Sequence, residues 1–209
     1  MKRIARGALT AALLLSGALA TAVAGSIEAG SSEGRAMAAD PNRPPGPPAM
    51  EPWERELWER HIGTWKSSYT IRDAEGNIVD QHEAINDIAL DWEQNLYSQR
   101  NIYTRGEETE VRRYTAHWEG SEMVIRGKVL EGRARAYDQN TIILWFSKPS
   151  LGEETYETII LGREPHRGRS MQHWENGVLV RTTSVFGEVK TSDLPAIDAA
   201  GHDLPAPAE

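Results

Sequence analysis

The chain has 209 residues, with 31 acidic and 23 basic side chains, a formal net charge of −8 and no cysteine. Such an acidic surface repels phosphate backbones and anionic membranes, which argues against nucleic-acid binding. Without cysteine the protein can form no disulfide, so its fold depends on its own core.

The first residues have the pattern of a secretory signal peptide. Basic side chains at positions 2, 3 and 6 precede an apolar run over 8–20, and positions 22–24 are Ala-Val-Ala. The apolar run is shorter than the roughly 20 residues that a membrane-spanning helix needs. We therefore predict that residues 1–24 are a signal peptide, that the protein is exported to the periplasm or secreted, and that the mature chain has no integral membrane span.

Two segments have too few apolar side chains to offset the entropy of folding. Residues 25–50 are rich in Pro, Gly and Ser, and are predicted to be a disordered tether. Residues 191–209, which include three prolines, are predicted to be a disordered tail. The segment between them, residues 51–190, is long enough for one domain with a substantial core.

This domain is predicted to begin with a helix and to continue in strands. Trp53, Leu57, Trp58 and His61 recur at helical spacing, which predicts an amphipathic helix over 51–62. The apolar period then changes to two, with a strand from Trp65 and further strands at 78–90, 92–104, 111–118, 123–129, 133–137, 141–147, 155–161, 169–174 and 178–189. The pattern predicts an all-β fold, an antiparallel barrel of about 8–10 strands with the short helix closing one end, and a β-sandwich is the alternative.

Residues at the two ends of this domain resemble the calycin superfamily of lipocalins and fatty-acid-binding proteins. They are Gly63 just before the first strand, Trp65 in that strand, and Arg181 in the last hairpin. In that group a tryptophan of the first strand packs under an arginine of the last, so the resemblance implies a contact between Arg181 and the indole of Trp65. Gly63 suits the tight turn from helix to strand because it lacks a Cβ.

A wider pattern resembles a bacterial lipocalin-like domain of unknown function, the DUF3598-type family, across residues 53–190. The pattern consists of Trp58-x-x-His61-Ile62-Gly63-Thr64-Trp65, Tyr69-Thr70, Gly76, Tyr103, Arg169-Ser170 and Gly177-x-Leu179-x-Arg181-x-Thr183. This resemblance implies a lipocalin-like barrel and no established activity.

Every second side chain of a barrel strand faces the lumen, which in a barrel of this size can hold one small ligand. The candidate lumen residues combine aromatic, sulfur and basic side chains: Tyr69, Trp92, Arg100, Tyr103, Trp145, Met171 and His173. They suit a mostly apolar molecule with one polar or anionic group. The leading prediction is an exported lipocalin-like protein that binds a small hydrophobic or amphipathic molecule without a cofactor, in an oligomeric state that is left open.

Three alternatives remain open. A cofactor-free lyase, isomerase or cyclase could use Tyr69, Arg100, Tyr103 and Glu157 as an acid–base set, whereas Glu157 could also face solvent. A barrel of the nitrobindin type could bind haem through His173, although the residues around it do not reproduce that family's motif. A fully packed lumen would indicate a structural or interaction module. The histidine spacing predicts no metal site, and no residue is assigned a catalytic role.

Overall fold

A computed structural model describes residues 48–205 of the chain. The predicted signal peptide, residues 25–47 of the predicted tether and residues 206–209 lie outside the described residues. Within them the order is α1 (Pro52–His61), β1 (Gly63–Asp73), β2 (Ile78–Asp91), β3 (Leu96–Arg105), β4 (Glu108–Glu119), β5 (Glu122–Arg126), β6 (Glu131–Asp138), β7 (Thr141–Lys148), a short 3₁₀ helix (Pro149–Leu151), β8 (Glu153–Leu161), β9 (His166–Glu175) and β10 (Val178–Ser192). No helix in this range is both long and apolar enough to cross a membrane.

The ten strands form one closed antiparallel barrel, which confirms the predicted fold class. Each strand pairs with its neighbours in sequence, and β1 also pairs with β10, so that Trp65 lies opposite Lys190 and Asp73 opposite Arg181. A sandwich would leave two separate sheets, and this closed ring excludes it. The observed strands correspond one to one with the ten segments that alternate in the sequence.

Helix α1 packs into one end of the barrel, as predicted. The Glu54 carboxylate accepts a hydrogen bond from the Glu51 backbone N–H at 2.8 Å, and Pro52 occupies the first turn, where its missing N–H costs no helical bond. Leu57, Trp58 and His61 are the buried residues of the helix. The Trp58 indole meets that of Trp118 edge to face at 5.7 Å, an arrangement that stabilises aromatic pairs.

Gly63 joins α1 to β1 in a conformation that other residues resist. Its φ is +119°, and a Cβ there would lie 2.3 Å from the Ser192 carbonyl oxygen. We expect Gly63→Ala to lower the free energy of unfolding by more than the roughly 1–3 kcal/mol of backbone strain alone, because the new methyl group also collides with β10. Urea unfolding measures the loss.

Gly76→Ala is the matched control for this substitution. Gly76 also has a positive φ, +92°, but an added Cβ would meet no atom within 4 Å. The difference between the two alanine variants therefore measures the collision with β10. Equal losses would contradict the close approach of Gly63 to Ser192.

The C-terminal segment after β10 folds back on the barrel, so the prediction of a disordered tail is wrong for its described part. We call residues 193–205 the C-terminal strap. Ile197 is 1% exposed, and the Ser98 hydroxyl of β3 donates a hydrogen bond to the Ala199 carbonyl. The Asp203 carboxylate accepts hydrogen bonds from Arg113, at 3.2 Å, and from Arg100. These contacts compensate for the low apolar content on which the prediction of disorder depended.

Candidate functional site

The barrel encloses a cavity of about 360 Å³, which is within the size range of small-molecule sites. Its walls differ chemically. One wall, on β5, β7 and the loop between β5 and β6, is apolar and consists of Met123, Ile125, Leu130, Leu144 and Phe146. The opposite wall, on β1 to β4 and β8 to β10, carries most of the aromatic, histidine, acidic and arginine side chains.

The structure places four of the predicted lumen residues on the cavity wall. They are Tyr69, Tyr103, Met171 and His173. Their part in ligand binding stays a prediction, but their orientation agrees with the alternation from which they were chosen.

Arg100 and Trp145 face away from the lumen, contrary to the prediction. On β3 the lumen side carries Gln99 and Asn101, so Arg100 points outward, where its Nη2 lies 2.7 Å from Asp87 Oδ2. On β7 Leu144 lines the cavity, and its neighbour Trp145 consequently projects to the outside. In both strands the alternation is present, but the face chosen as inward was the wrong one.

Trp92 is also outside the cavity, because it lies in the turn between β2 and β3. Its ring packs against Trp118 with centroids 5.0 Å apart, and its Nε1–H donates to Glu59 of α1 at 3.1 Å. Trp92 therefore holds the helix against the barrel.

The arginine above Trp65 is Arg167 of β9, not Arg181 as the resemblance implied. The guanidinium carbon of Arg167 is 4.1 Å from the centre of the Trp65 ring. Arg181 pairs with Asp73 at the opposite end of β1, and its half-exposed side chain lies 3.4 Å from Glu175. The cation–π contact expected at the closed end thus exists, but the strand before the last one supplies the cation.

A buried charge network surrounds this contact. The Arg167 guanidinium donates to both carboxylate oxygens of Glu188, at 2.8 and 3.0 Å, and both side chains are 0% exposed. Burial alone would raise the pKa of Glu188, but Arg167 and Arg169 hold that pKa below its usual value. His61 Nδ1 accepts a hydrogen bond from Arg167 at 3.0 Å, and burial together with that arginine lowers the pKa of His61 well below 6.5. Arg167 and Glu188 are therefore both ionised, and His61 is neutral.

Glu157 belongs to the same network, so its alternative position facing solvent is wrong. It is 5% exposed and lines the cavity, where it accepts a hydrogen bond from Arg169 Nε at 2.6 Å. Arg169 also donates to Asn86 Oδ1 at 3.2 Å. Of the acid–base set proposed from the sequence, Tyr69, Tyr103 and Glu157 reach the cavity and Arg100 does not.

An aromatic cluster lies nearer the end of the barrel that is opposite α1. We call this end of the barrel the mouth. The Tyr69 and His82 rings stack at 5.0 Å, and the Tyr103 ring meets both of them edge to face. Burial raises the pKa of Tyr69 and of Tyr103, so both phenols stay protonated at neutral pH and can donate hydrogen bonds. The guanidinium groups of Arg105 and Arg112 are 5.9 and 5.3 Å from the Tyr103 ring.

Basic side chains outnumber acidic ones on the cavity wall, although the whole chain is acidic. The basic residues are Arg105, Arg112, Lys148, Arg167, Arg169 and Arg181, and the acidic residues are Glu153 and Glu157. Two of these basic residues, Arg112 and Arg181, pair with Glu110 and Glu175, whose side chains are themselves substantially exposed. We call Arg112 and Arg181 the mouth cations. Exposed pairs of this kind are weak, so the mouth cations can exchange partners with an incoming anion.

His173 is held by threonine hydroxyls through both ring nitrogens. Nδ1 is 3.1 Å from Thr155 Oγ1, and Nε2 is 2.8 Å from Thr183 Oγ1. Burial, with Arg181 nearby, lowers its pKa to about 4. Binding to haem iron would require one of these hydrogen bonds to break. Among residues 48–205, no three carboxylate or histidine side chains are grouped closely enough to hold a metal ion.

The sequence interpretation missed several residues of the site: His82, Arg105, Arg112, Arg167 and Glu188. A signal for one of the arginines, Arg167, was present on β9. Met171 and His173 had been assigned to the lumen, and the same alternation two and four residues earlier leads to Arg169 and Arg167. His82 could have been found in the same way, because Ala84 and Asn86 continue its face of β2 into the core.

No family model matches the chain, and no curated protein matches its sequence. Two solved structures are similar to it. A DUF3598-family protein of unknown function from Nostoc punctiforme has a TM-score of 0.50 and 17% identity, over 64% of this chain and 48% of that one. The S-type phycobiliprotein lyase CPES from Guillardia theta has a TM-score of 0.53 and 15% identity, over 65% of this chain and 91% of that one. The chain thus spans about half the length of the first protein, and the two similarities show that it has the calycin-like barrel its sequence resembles.

Proposed function

We propose that the protein binds one small amphipathic molecule in the barrel lumen, with an apolar body and an anionic group. The observation that carries this proposal is the cavity of about 360 Å³, whose apolar wall faces a wall of aromatic and basic side chains. A molecule with one apolar edge and one acidic edge complements both walls at once.

The apolar wall supplies affinity, because each square ångström of apolar surface removed from water contributes about 25 cal/mol. The mouth cations supply orientation. The guanidinium group of Arg112 lies over the Tyr103 ring and is bound to the exposed carboxylate of Glu110, at 2.6 Å. A ligand carboxylate or sulfonate that replaces Glu110 would accept charge-assisted hydrogen bonds from this half-exposed guanidinium group, in the planar geometry that suits an oxyanion.

Two dyes of matched shape test the requirement for an anion: 8-anilinonaphthalene-1-sulfonate and N-phenyl-1-naphthylamine, which lacks the sulfonate. We expect the sulfonate to bind at least about tenfold more tightly, which corresponds to about 1.4 kcal/mol, in a fluorescence titration. Arg112→Gln is expected to weaken binding of the sulfonate and to leave binding of the neutral dye unchanged. Arg133→Gln is the control, since Arg133 is exposed on the outside of β6.

A second pair of variants tests whether the dyes occupy the lumen. Met171 lines the cavity, whereas its neighbour Gln172 faces outward. Met171→Trp fills cavity volume and is expected to weaken binding of both dyes, while Gln172→Trp leaves it unchanged. Full binding to folded Met171→Trp, or equal affinity for the two dyes, would contradict the proposal.

We also propose that this binding protein is exported. The support is the amino-acid pattern of residues 1–24, a basic start followed by an apolar run and small residues.

A further inference from the structure

His82 and Asp80 form a carboxylate–histidine pair at the edge of the lumen, and neither residue has a part in the function proposed so far. The His82 side chain is 2% exposed, and the ring lines the cavity. Its Nδ1 lies 2.9 Å from Asp80 Oδ2, which also accepts a hydrogen bond from Arg105 Nε at 2.9 Å. A carboxylate only accepts, so the His82 proton is on Nδ1 and the lone pair is on Nε2.

The lone pair of Nε2 is the chemically useful feature of this pair. Arg105 Nη2 contacts it at 3.5 Å, which is long and weak for a hydrogen bond. Stacking against Tyr69 and the edge of Tyr103 fix the ring plane, so Asp80 and the two tyrosines together hold Nε2 in one orientation. A carboxylate that fixes the tautomer and orientation of an imidazole is the arrangement by which enzymes prepare a histidine to accept a proton.

We propose that His82 is a general base, positioned by Asp80, that removes a carbon-bound proton from a planar conjugated molecule in the lumen. This inference rests on the proposed function, because the lumen must first hold a small molecule. Asp80 acts through His82 and does not itself touch the substrate.

The step is balanced without a cofactor. The substrate C–H bond breaks, its proton forms a bond to His82 Nε2, and its electron pair moves into the conjugated system. The negative charge reaches an oxygen at the polar wall, where Arg105 and Arg112 stabilise it electrostatically. Return of the proton to another atom completes an isomerisation, and departure of a bonded oxygen completes an elimination.

The protonation state of His82 is suited to this step. Burial first, and then Arg105, lowers its pKa below 6.5, while Asp80 opposes the shift. The neutral, basic form therefore predominates at neutral pH. The titratable and charged groups that face His82 or influence its titration are Asp80 on β2, Tyr69 on β1, Tyr103 and Arg105 on β3, and Glu110 and Arg112 on β4.

The probe for the base is 5-nitrobenzisoxazole, a planar molecule that opens when a base removes its single ring-carbon proton next to nitrogen. The N–O bond breaks in the same step, and the product is a coloured cyano-nitrophenolate, so no added reagent is needed. We expect the wild-type protein to convert the probe, and His82→Gln to reduce the rate at least about 100-fold. The rate should fall as the pH falls through the His82 pKa, with a midpoint below 6.5.

The chain offers a matched control in His117 and Glu119, a histidine–carboxylate pair with the same two-residue spacing. This pair lies on the outside of β4, with Nε2 and Oε1 3.2 Å apart. His117→Gln is expected to leave conversion unchanged. A rate that is equal in His82→Gln and in wild type would overturn the proposal.

Asp80→Asn tests the positioning role. Removal of the carboxylate removes the interaction that raises the pKa of His82, so the midpoint of the pH profile should shift to lower pH and the rate should fall. Asp80→Glu should restore part of the rate. If His82→Gln fails to fold, the Asp80→Asn profile carries the test, and an unshifted midpoint overturns the proposal. If the wild-type protein binds the dyes normally but does not convert 5-nitrobenzisoxazole, the general base is refuted and the proposed function stands. If it neither binds the dyes nor converts the probe, the proposed function is refuted as well.

Discussion

Arg167→Met is expected to lower the free energy of unfolding by about 3–5 kcal/mol, because it leaves the Glu188 carboxylate charged and unpaired in the core. Both side chains are 0% exposed, and two hydrogen bonds join them. Arg169 is 3.5 Å from Glu188 and Ser67 also contacts it, but neither replaces the bidentate partner. Urea unfolding at neutral pH measures the loss.

Two further variants show whether the unpaired charge causes this loss. Arg167→Met with Glu188→Gln removes the charge as well and is expected to be more stable than Arg167→Met alone. Arg133→Met breaks the exposed pair with Glu122 and should cost less than about 1 kcal/mol. A loss in Arg167→Met no larger than that of Arg133→Met would contradict an ionised buried pair.

The loss should also depend on pH. The pKa of Glu188 in the folded protein is below its ordinary value of 4.5. The stability that its ionised form contributes is therefore present above pH 4.5 and is lost as the pH falls through the lowered pKa. In Arg167→Met, burial without that guanidinium group gives Glu188 a higher pKa than in wild type, so the difference in stability between the two proteins is expected to narrow as the pH falls towards and through the lowered wild-type pKa.

Trp65→Ala is expected to cost about 3–5 kcal/mol in chemical denaturation, because it empties the space of a buried indole. Trp65 is 1% exposed, its Nε1–H donates to the His61 carbonyl at 3.0 Å, and Arg167 covers its ring. Arg181→Ala should change stability by less than about 1 kcal/mol, since Arg181 is half-exposed and its partner Glu175 is on the rim.

Double mutants identify which arginine contacts Trp65. Losses for Trp65→Ala and Arg167→Met should be less than additive, because each variant already breaks the shared contact. Losses for Trp65→Ala and Arg181→Ala should add, since these residues lie at opposite ends of β1. If the losses for Trp65→Ala and Arg181→Ala were less than additive while those for Trp65→Ala and Arg167→Met added, the contact between Arg167 and Trp65 would be contradicted.

The strand pattern and the helix could be predicted because each depends on local properties. Alternation of apolar side chains and turn residues at regular spacing located all ten strands, and α1 begins and ends within one residue of its predicted bounds. Closure of the sheet was also predictable, since many short strands with no intervening helix leave few other ways to protect the sheet edges.

The inward face of each strand was harder to predict. On β3, Arg100 lies between Gln99 and Asn101, and all three side chains are polar, so hydrophobicity does not distinguish lumen from surface. On β7, Ile143 and Trp145 on the outer face are as apolar as Ile142 and Leu144 on the inner face. Only the register with neighbouring strands decides such cases, and register is a property of the whole sheet.

The charged part of the site was missed for a related reason. Residue type alone predicts that arginine and glutamate lie on the surface, because most of them do. Arg167 and Glu188 are 21 residues apart and become neighbours only through the pairing of β9 with β10. The C-terminal strap was missed similarly, because Ile197 is an isolated apolar residue whose burial requires the finished outer face of the barrel.

The pairing of β1 with β10 constrains the order in which the protein can form. Thr64 lies opposite Ser192, so the ring closes only after nearly the whole domain has been synthesised. Until then β1 and the newest strand expose unpaired backbone donors and acceptors, which can pair with other chains. A chain truncated before β10 would keep two such edges permanently. It is therefore expected to aggregate rather than to persist as a smaller barrel.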